Sequence, residues 1–158
     1  MFWHPMPDHL TREQRSALMS RIRGRDTQPE LAVRRLLRSS GIGYRLHCRD
    51  LPGSPDIVMR GRGAVIFVHG CFWHQHARCR KAARPTSRVA YWNLRLDRNL
   101  QRDATALREL RALGWRALVL WECELRDQQL AARKIARFLD QGSTHQPQGA
   151  RTIRRTIR

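Results

Sequence analysis

The side chains best suited to bind a metal ion lie together, directly after a short apolar run. Residues 65–68 are the β-branched and aromatic apolar sequence VIFV, which is typical of a buried strand. Within the next eleven residues come two cysteines and three histidines: His69, Cys71, His74, His76 and Cys79. Thiolates and imidazoles are the ligands that zinc prefers in proteins. This segment is therefore the first candidate for a functional site.

Three of these residues and one distant cysteine form a plausible zinc site. Cys71, His76 and Cys79 are close in sequence, and Cys123 follows a second apolar run, at residues 115–121. A Cys3His set is typical of a closed, structural zinc site. The spacing C-x4-H-x2-C is not that of a standard zinc finger, so scattered thiols and surface histidines are the alternative. The fourth cysteine of the chain has no predicted role.

Asp56 and two histidines could supply hydrolytic chemistry. Asp56 begins a predicted strand, and a neighbouring strand ends about a dozen residues later at His69. A carboxylate placed this way is typical of Mg²⁺-dependent nucleases, although a lone strand-initiating aspartate is more often a surface residue. Either His69 or His74 could accept a proton from water near neutral pH, unless it binds zinc or a core partner instead. Glu30 has a sufficient explanation as a helix-capping residue.

The charge of the chain indicates an anionic partner. Its 158 residues include 31 Lys and Arg but only 13 Asp and Glu, which gives a formal net charge of +18. Most of the basic residues are arginines, whose guanidinium groups suit phosphates and stack on bases, so nucleic acid is the predicted partner. A ribosomal-type or membrane-surface basic protein is the alternative. We expect no transmembrane helix and no signal peptide, and therefore an intracellular protein.

Capping boxes, apolar periodicity and turn residues predict the order ααβββαβα, a mixed sheet between helices. The predicted helices cover about residues 11–23, 28–39, 92–113 and 126–139, and the strands 44–47, 56–59, 64–68 and 115–121. Strands two and three should form a hairpin around the turn at residues 60–63. Three stripes of apolar residues should face the core. These are Leu31, Leu36 and Leu37; Leu96, Leu100, Ala104, Leu107 and Leu110; and Leu130, Ile135, Phe138 and Leu139.

Composition divides the chain into three parts. Residues 1–10 are apolar and interrupted by prolines, which indicates a flexible arm. Residues 11–141 carry all the predicted helices and strands and should form one domain. Residues 142–158 are polar and end in the duplication RTIR-RTIR, which indicates a disordered basic tail.

Several motifs together resemble the very short patch repair endonucleases, the Vsr family. They are HGCFWHQHARC, preceded by LPGSPDIV and followed by LGWRALVLWECEL, with the segment RDTQPE and the pair Arg102-Asp103. The resemblance covers roughly residues 10–140. It implies a restriction-endonuclease-like α/β fold with a Mg²⁺-dependent active site and a structural zinc. It also implies that the protein nicks DNA on the 5′ side of the T in a G·T mismatch left by deamination of 5-methylcytosine.

The same resemblance implies a role for each catalytic candidate. Asp56 would bind Mg²⁺, His74 would activate water, and His69 would be a second essential histidine. Glu30 would contact water bound to the metal. Val68 would offer its backbone carbonyl to Mg²⁺, where the best-known family member has a threonine.

The resemblance also implies the zinc ligands and a set of DNA-contacting aromatics. The zinc ligands would be Cys71, His76, Cys79 and Cys123. The aromatics that wedge into DNA beside the mismatch would be Phe72, Trp73 and Trp92. The interval between His76 and Cys79 is one residue longer than in the best-known member, so the zinc loop should have a different shape.

The sequence is thus interpreted as a Mg²⁺-dependent DNA mismatch nicking endonuclease. Its expected partner is double-stranded DNA with a G·T mismatch, and mismatch-repair proteins are further candidates. We expect a monomer that does not act at membranes and is cytoplasmic, associated with the nucleoid when it acts. A zinc-stabilised, non-catalytic nucleic-acid-binding module and a homing or mobile-element endonuclease of the same fold are the alternatives.

Overall fold

A four-stranded mixed sheet forms the centre of the protein. The computed structural model describes residues 25–141; the predicted arm at 1–10, the helix at 11–23 and the tail at 142–158 lie outside this range. The strands are β1 (Arg45–Leu46), β2 (Ile57–Met59), β3 (Ala64–His69) and β4 (Arg116–Trp121), in that spatial order. The helices are α1 (Gln28–Ser39), α2 (Val89–Ala112) and α3 (Gln128–Asp140). The predicted mixed α/β architecture is confirmed.

The strand directions bring several chain segments to one edge of the sheet. β1, β2 and β3 pair antiparallel, and the predicted hairpin of β2 and β3 is confirmed. It turns through a short 3₁₀ segment (Arg60–Arg62) and Gly63, whose φ of 54° is left-handed. β3 and β4 pair in parallel, which requires a long crossover that contains α2. The start of β2 and the ends of β3 and β4 therefore share one edge.

Each face of the sheet is covered by a separate apolar cluster. On one face, α1 and α3 pack on alternate residues of β3, including Ala64 and Ile66. On the other face, α2 contributes Leu110 against Val65 and Phe67. Because both of its faces are covered, β3 reads as a continuous apolar run rather than an alternating one. None of the helices within residues 25–141 is long and apolar enough to cross a membrane.

Capping and turn residues predicted the helix boundaries well, whereas apolar periodicity predicted the buried faces of the helices less well. The capping box at Thr27 and Glu30 is present, as predicted. Leu100 and Leu130 were predicted to face the core but are 40% and 55% exposed. Ala104, also predicted to be buried, is exposed. The buried side of α2 carries Trp92, Leu96, Ala106 and Leu110.

The error on α2 has a physical cause. The half-buried polar residues Asn99 and Asp103 lie between Leu96 and Ala106 on the inner side of this helix. A search for apolar residues at helical spacing passes over such positions and selects the neighbouring Leu100 instead. The polar interruption coincides with the part of α2 that faces the candidate site.

Candidate active site and metal centre

Asp56 and Val68 lie side by side at the sheet edge. The N–H of Val68 donates a hydrogen bond to Oδ2 of Asp56, at 2.7 Å. In an extended strand the N–H and C=O of one residue point to the same neighbouring strand, so the Val68 carbonyl is also directed towards Asp56. A carboxylate and a carbonyl oxygen are the hard ligands that Mg²⁺ prefers. These two residues fit a divalent-cation site.

The surroundings of Asp56 destabilise the negative charge of its carboxylate. Burial raises the pKa of Asp56 to about 6, and the nearby Glu30 carboxylate adds to this rise. The hydrogen bond from Val68 and the histidines His47 and His74 act in the opposite direction. A buried carboxylate whose negative charge is destabilised in this way is a favourable ligand for a cation.

This raised pKa predicts a stability effect. An aspartate with a folded-state pKa of about 6 and an unfolded value near 3.8 destabilises the fold when ionised. The contribution of Asp56 to the free energy of unfolding should fall as the pH rises from about 4 to about 6, by up to about 3 kcal/mol. The isosteric Asp56→Asn variant should therefore be about 1–3 kcal/mol more stable than wild type at pH 7.5 in Mg²⁺-free buffer.

Urea unfolding at pH 4 and pH 7.5 measures this effect. The advantage of Asp56→Asn should be absent near pH 4, appear between pH 4 and 6, and stay constant above. An Asp56→Asn protein that is less stable than wild type at pH 7.5 would show that the Asp56 carboxylate stabilises the fold.

Two histidines and an aspartate form a stacked, hydrogen-bonded group beside Asp56. The rings of His69 and His74 stack with centroids 3.8 Å apart and an interplanar angle of 11°. Nδ1 of His74 lies 2.6 Å from Oδ2 of Asp103, which projects from α2. An ionised carboxylate can only accept, so Nδ1 of His74 must be the donor. Nε2 of His74 is then the nitrogen available to accept a proton.

His69 is suited to a different task from His74. Its side chain is 7% exposed and packs edge-on against Trp121. Burial lowers the pKa of His69 to about 4, with a further decrease from the adjacent His74. His69 is therefore neutral at pH 7. A neutral imidazole stacked on His74 restricts that ring without adding a competing charge.

The four predicted zinc ligands come together at the same edge. The ligand atoms of Cys71, His76, Cys79 and Cys123 all lie within 4.8 Å of one another. Nδ1 of His76 is 3.8 Å from Sγ of Cys71 and 3.3 Å from Sγ of Cys123. Tetrahedral zinc–thiolate and zinc–imidazole bonds of about 2.0–2.3 Å place ligand atoms roughly 3.5–3.8 Å apart. The cluster thus has the size and the chemistry of a Cys3His zinc site.

Burial determines the protonation of the thiols in this cluster. Burial raises the pKa of the Cys71 thiol to about 12, and burial also raises the pKa of Cys123. Such thiols ionise only when a positive charge compensates them. The His76 ring stacks on Trp121 at 4.2 Å, which fixes the imidazole at the end of β4.

The three aromatic residues predicted to contact DNA form a cluster at the start of α2. Phe72 packs edge-on against both Trp73 and Trp92, at 5.1 and 5.5 Å. Phe72 and Trp92 are only 7% and 3% exposed, whereas Trp73 is half-buried. The Arg95 guanidinium lies 5.4 Å from the centroid of the Trp73 ring. Of the three aromatics, Trp73 is the one accessible to a partner without rearrangement of this cluster.

Comparison with known proteins identifies the family. The sequence profile described as "DNA mismatch endonuclease Vsr" matches residues 7–81. A type II nicking enzyme, V.XorIIP of Xanthomonas oryzae pv. oryzae, is 47% identical over 135 residues, which are 85% of this chain and 98% of that protein. The DNA mismatch endonuclease Vsr of Escherichia coli K12 is 39% identical over 124 residues, 78% of this chain and 79% of that protein. The chain belongs to the Vsr family.

A solved structure supports the fold of this Vsr-family chain. The catalytic domain of the homing endonuclease I-Bth0305I matches with a TM-score of 0.55 and 22% identity, over 75% of this chain and 100% of that domain. The predicted restriction-endonuclease-like mixed sheet flanked by helices is therefore confirmed. The relatives of the chain, and not this structural likeness, make it a DNA endonuclease of the Vsr family.

Sequence reasoning did not assign a role to two parts of the site. Asp103 was noted only within the Arg102-Asp103 pair, and its contact with His74 spans 29 residues of sequence. The signal that could have found it is the polar interruption on the buried face of α2. The second part is a charged group around the buried Arg34, which contacts Glu30 and His47. No spacing rule connects the first half of α1 to the loop after β1.

Proposed function

We propose that this Vsr-family chain nicks one strand of duplex DNA on the 5′ side of the T in a G·T mismatch, by Mg²⁺-dependent hydrolysis. The observation that carries this proposal is the 2.6 Å contact between Nδ1 of His74 and Asp103, next to Asp56. This contact orients the His74 ring so that its second nitrogen, Nε2, can take a proton from water. The E. coli relative is named a DNA mismatch endonuclease, which supports the mismatch as substrate.

Each residue of the candidate site has a separate role in the proposed hydrolysis. Nε2 of His74 accepts a proton from the attacking water, and the Asp103 carboxylate stabilises the imidazolium that forms. His69 stays neutral and keeps the His74 ring in place by stacking. Asp56 and the Val68 carbonyl would hold Mg²⁺, with Glu30 nearby. When bound, the ion supplies Lewis-acid stabilisation of the negative charge that develops on the phosphate.

The zinc site would be structural in this scheme. Cys71, His76, Cys79 and Cys123 would supply all four ligands of a tetrahedral zinc, which would leave no position open for water or substrate. The alternative of a non-catalytic, zinc-stabilised nucleic-acid-binding module is disfavoured, because binding alone does not require the His69–His74–Asp103 group. The domain at residues 11–141 would act on DNA as a monomer in the cytoplasm, with mismatch-repair proteins as further partners.

Nicking of a labelled G·T duplex beside its G·C control, with and without Mg²⁺, tests the proposal. A single nick 5′ of the T should appear only in the G·T duplex and only with Mg²⁺. Asp56→Ala protein should bind the duplex but leave it intact. Equal nicking of both duplexes would show that the protein recognises a feature other than the mismatch, as a homing endonuclease does.

Trp73 should determine discrimination more than stability. Side chains that insert between base steps recover the cost of unstacking, and this cost is lowest at a mispair. Trp73→Ala should keep its zinc and melting temperature but lose at least tenfold in preference for G·T over G·C duplex. This loss corresponds to roughly the 1–3 kcal/mol of one stacked base. Competition binding and nicking rates on both duplexes measure it.

Trp115 provides a matched control for Trp73. It is also a half-buried tryptophan, but it packs against the apolar cluster that contains Leu110. This cluster covers the face of the sheet opposite to α1. Trp115→Ala should lower the melting temperature and leave discrimination unchanged. The reverse pattern, with Trp73→Ala melting early and discriminating normally, would assign Trp73 to core packing.

The basic tail at residues 142–158 should add affinity without specificity. Each phosphate neutralised by a basic side chain contributes about 0.9 to the slope of log affinity against log salt. Deleting the tail should reduce that slope, measured by fluorescence anisotropy on matched and mismatched duplexes. The ratio of the two affinities should stay the same, and a collapse of this ratio would make the tail part of the recognition surface.

A further inference from the structure

A second charged cluster surrounds Arg34 near the start of α1. Nη1 of Arg34 donates to Oδ1 of Asp26 at 2.6 Å, and Nη2 donates to Oε2 of Glu30 at 3.0 Å. The same Nη2 lies 3.4 Å from Nε2 of His47. One guanidinium thus contacts two carboxylates and an imidazole. We refer to Asp26, Glu30, His47 and Arg34 as the Arg34 cluster.

The three partners of Arg34 have the arrangement of a metal site. One carboxylate oxygen each from Asp26 and Glu30 and one ring nitrogen of His47 lie within 4.8 Å of one another. Two carboxylates and an imidazole suit divalent ions such as Mn²⁺. The guanidinium of Arg34 lies in contact with all three groups, where such an ion would bind.

The environment of Arg34 shows that its position is enforced. Its side chain is 9% exposed, and its Nε is buried without a hydrogen-bond partner among the described residues. Asp26 and His47 both adopt left-handed backbone conformations, with φ of 55° and 50°. Such conformations are uncommon outside glycine, even though Asp and His tolerate them better than most residues, and they persist where surrounding contacts hold them.

We propose that Arg34 is the resident cation of this cluster, and that it excludes a divalent ion from Asp26, Glu30 and His47 while it positions Glu30. The catalytic metal is thereby restricted to the Asp56 side of the site. This inference rests on the proposed function only for the Mg²⁺ site at Asp56.

Charge compensation is the physical basis of the exclusion. Buried carboxylates need a paired cation, and arginine supplies one that stays protonated at every accessible pH. Glu30 also accepts hydrogen bonds from the backbone N–H of Asp26, at 3.0 Å, and from the Thr27 hydroxyl, at 2.8 Å. Its oxygens are therefore held by protein donors. Without the guanidinium, the buried Glu30 carboxylate would be uncompensated, and together with the exposed Asp26 carboxylate and His47 it would attract a divalent ion.

Counting Mn²⁺ ions on the zinc-loaded, DNA-free full chain tests the proposal. Electron paramagnetic resonance of free Mn²⁺ gives the number bound. Wild type should bind one ion, which Asp56→Asn removes. Arg34→Met should bind one ion more than wild type, and the double variant Arg34→Met/His47→Ala should lose this additional ion. Arg34→Lys is the matched control, because it keeps the charge and should bind no additional ion.

Two results would overturn the proposal. One is an Arg34→Met protein with a normal circular dichroism spectrum and the wild-type number of ions. The other needs no change at Arg34: if His47→Ala alone loses an ion, then a metal rather than Arg34 occupies the cluster in the wild type. Neither measurement depends on nicking, so a chain that shows these ion counts but does not cut G·T duplex contradicts the proposed function alone.

Discussion

A His74→Ala chain is expected to nick DNA about 10²–10⁴ times more slowly than wild type while it keeps its zinc and its affinity for duplex. The variant removes the imidazole whose Nε2 is free to take a proton. His69, stacked on it, cannot replace it, because burial keeps the pKa of His69 near 4 and its base strength correspondingly low. Single-turnover rates with saturating Mg²⁺, together with metal analysis, measure both parts of the expectation.

A change at Asp103 tests whether the two residues act together. Asp103→Asn keeps the size of the side chain but removes the carboxylate that accepts from His74, and should lower the single-turnover rate at least tenfold. Asp97→Asn is the matched control, since Asp97 lies on the same helix and contacts Arg84 rather than His74. If His74→Ala loses zinc, His74 is a ligand. If Asp103→Asn and Asp97→Asn are equally active, the Asp103 contact has no catalytic role.

Replacement of Cys123 by alanine should remove the zinc ion and most of the folded population. A structural zinc contributes about 10–16 kcal/mol in zinc-finger peptides, against a typical total domain stability of only 5–15 kcal/mol. Among the four candidate ligands, Cys123 follows β4, whereas the other three lie in the loop after β3. Its loss should therefore separate the two strand ends as well as release the metal. Zinc content and near-ultraviolet circular dichroism measure the two effects.

Cys48 is the matched control for this experiment. It is a half-buried free cysteine that lies outside the metal-ligand cluster and packs near Leu51. Cys48→Ala should keep one zinc per chain and a cooperative unfolding transition. Wild-type protein with well under one zinc per chain would contradict the assignment of the cluster, whatever the variants do.

Sequence reasoning selected candidate site residues that are neighbours in the chain or have distinctive chemistry. The four candidate zinc ligands were predicted from ligand type and spacing, and the structure places their ligand atoms together. Asp56 was predicted from its place at a strand start before a hairpin, because the turn fixes which residues face each other.

Contacts between distant segments were not predictable in the same way. Asp103 reaches His74 only because α2 packs across the sheet with its polar residues towards the site. Hydrophobic periodicity gives no sign of such a face, and it selected Leu100 instead. Nor could the sequence show that Trp92 is buried, because the same aromatic residue type serves in cores and at nucleic-acid surfaces.

The parallel pairing of β3 and β4 has a consequence for the nascent chain. During synthesis, Cys71, His76 and Cys79 are made before the whole of α2 and β4, and Cys123 comes only after them. Strand pairing across so long a crossover forms late, because the entropic cost of closing the loop must be met before the contacts between β3 and β4 can stabilise it. Asp103 also reaches His74 only once α2 has docked. The proposed cutting centre and the candidate zinc site are therefore both complete only when synthesis has passed β4 and α2 has packed on the sheet, so an unfinished chain lacks both.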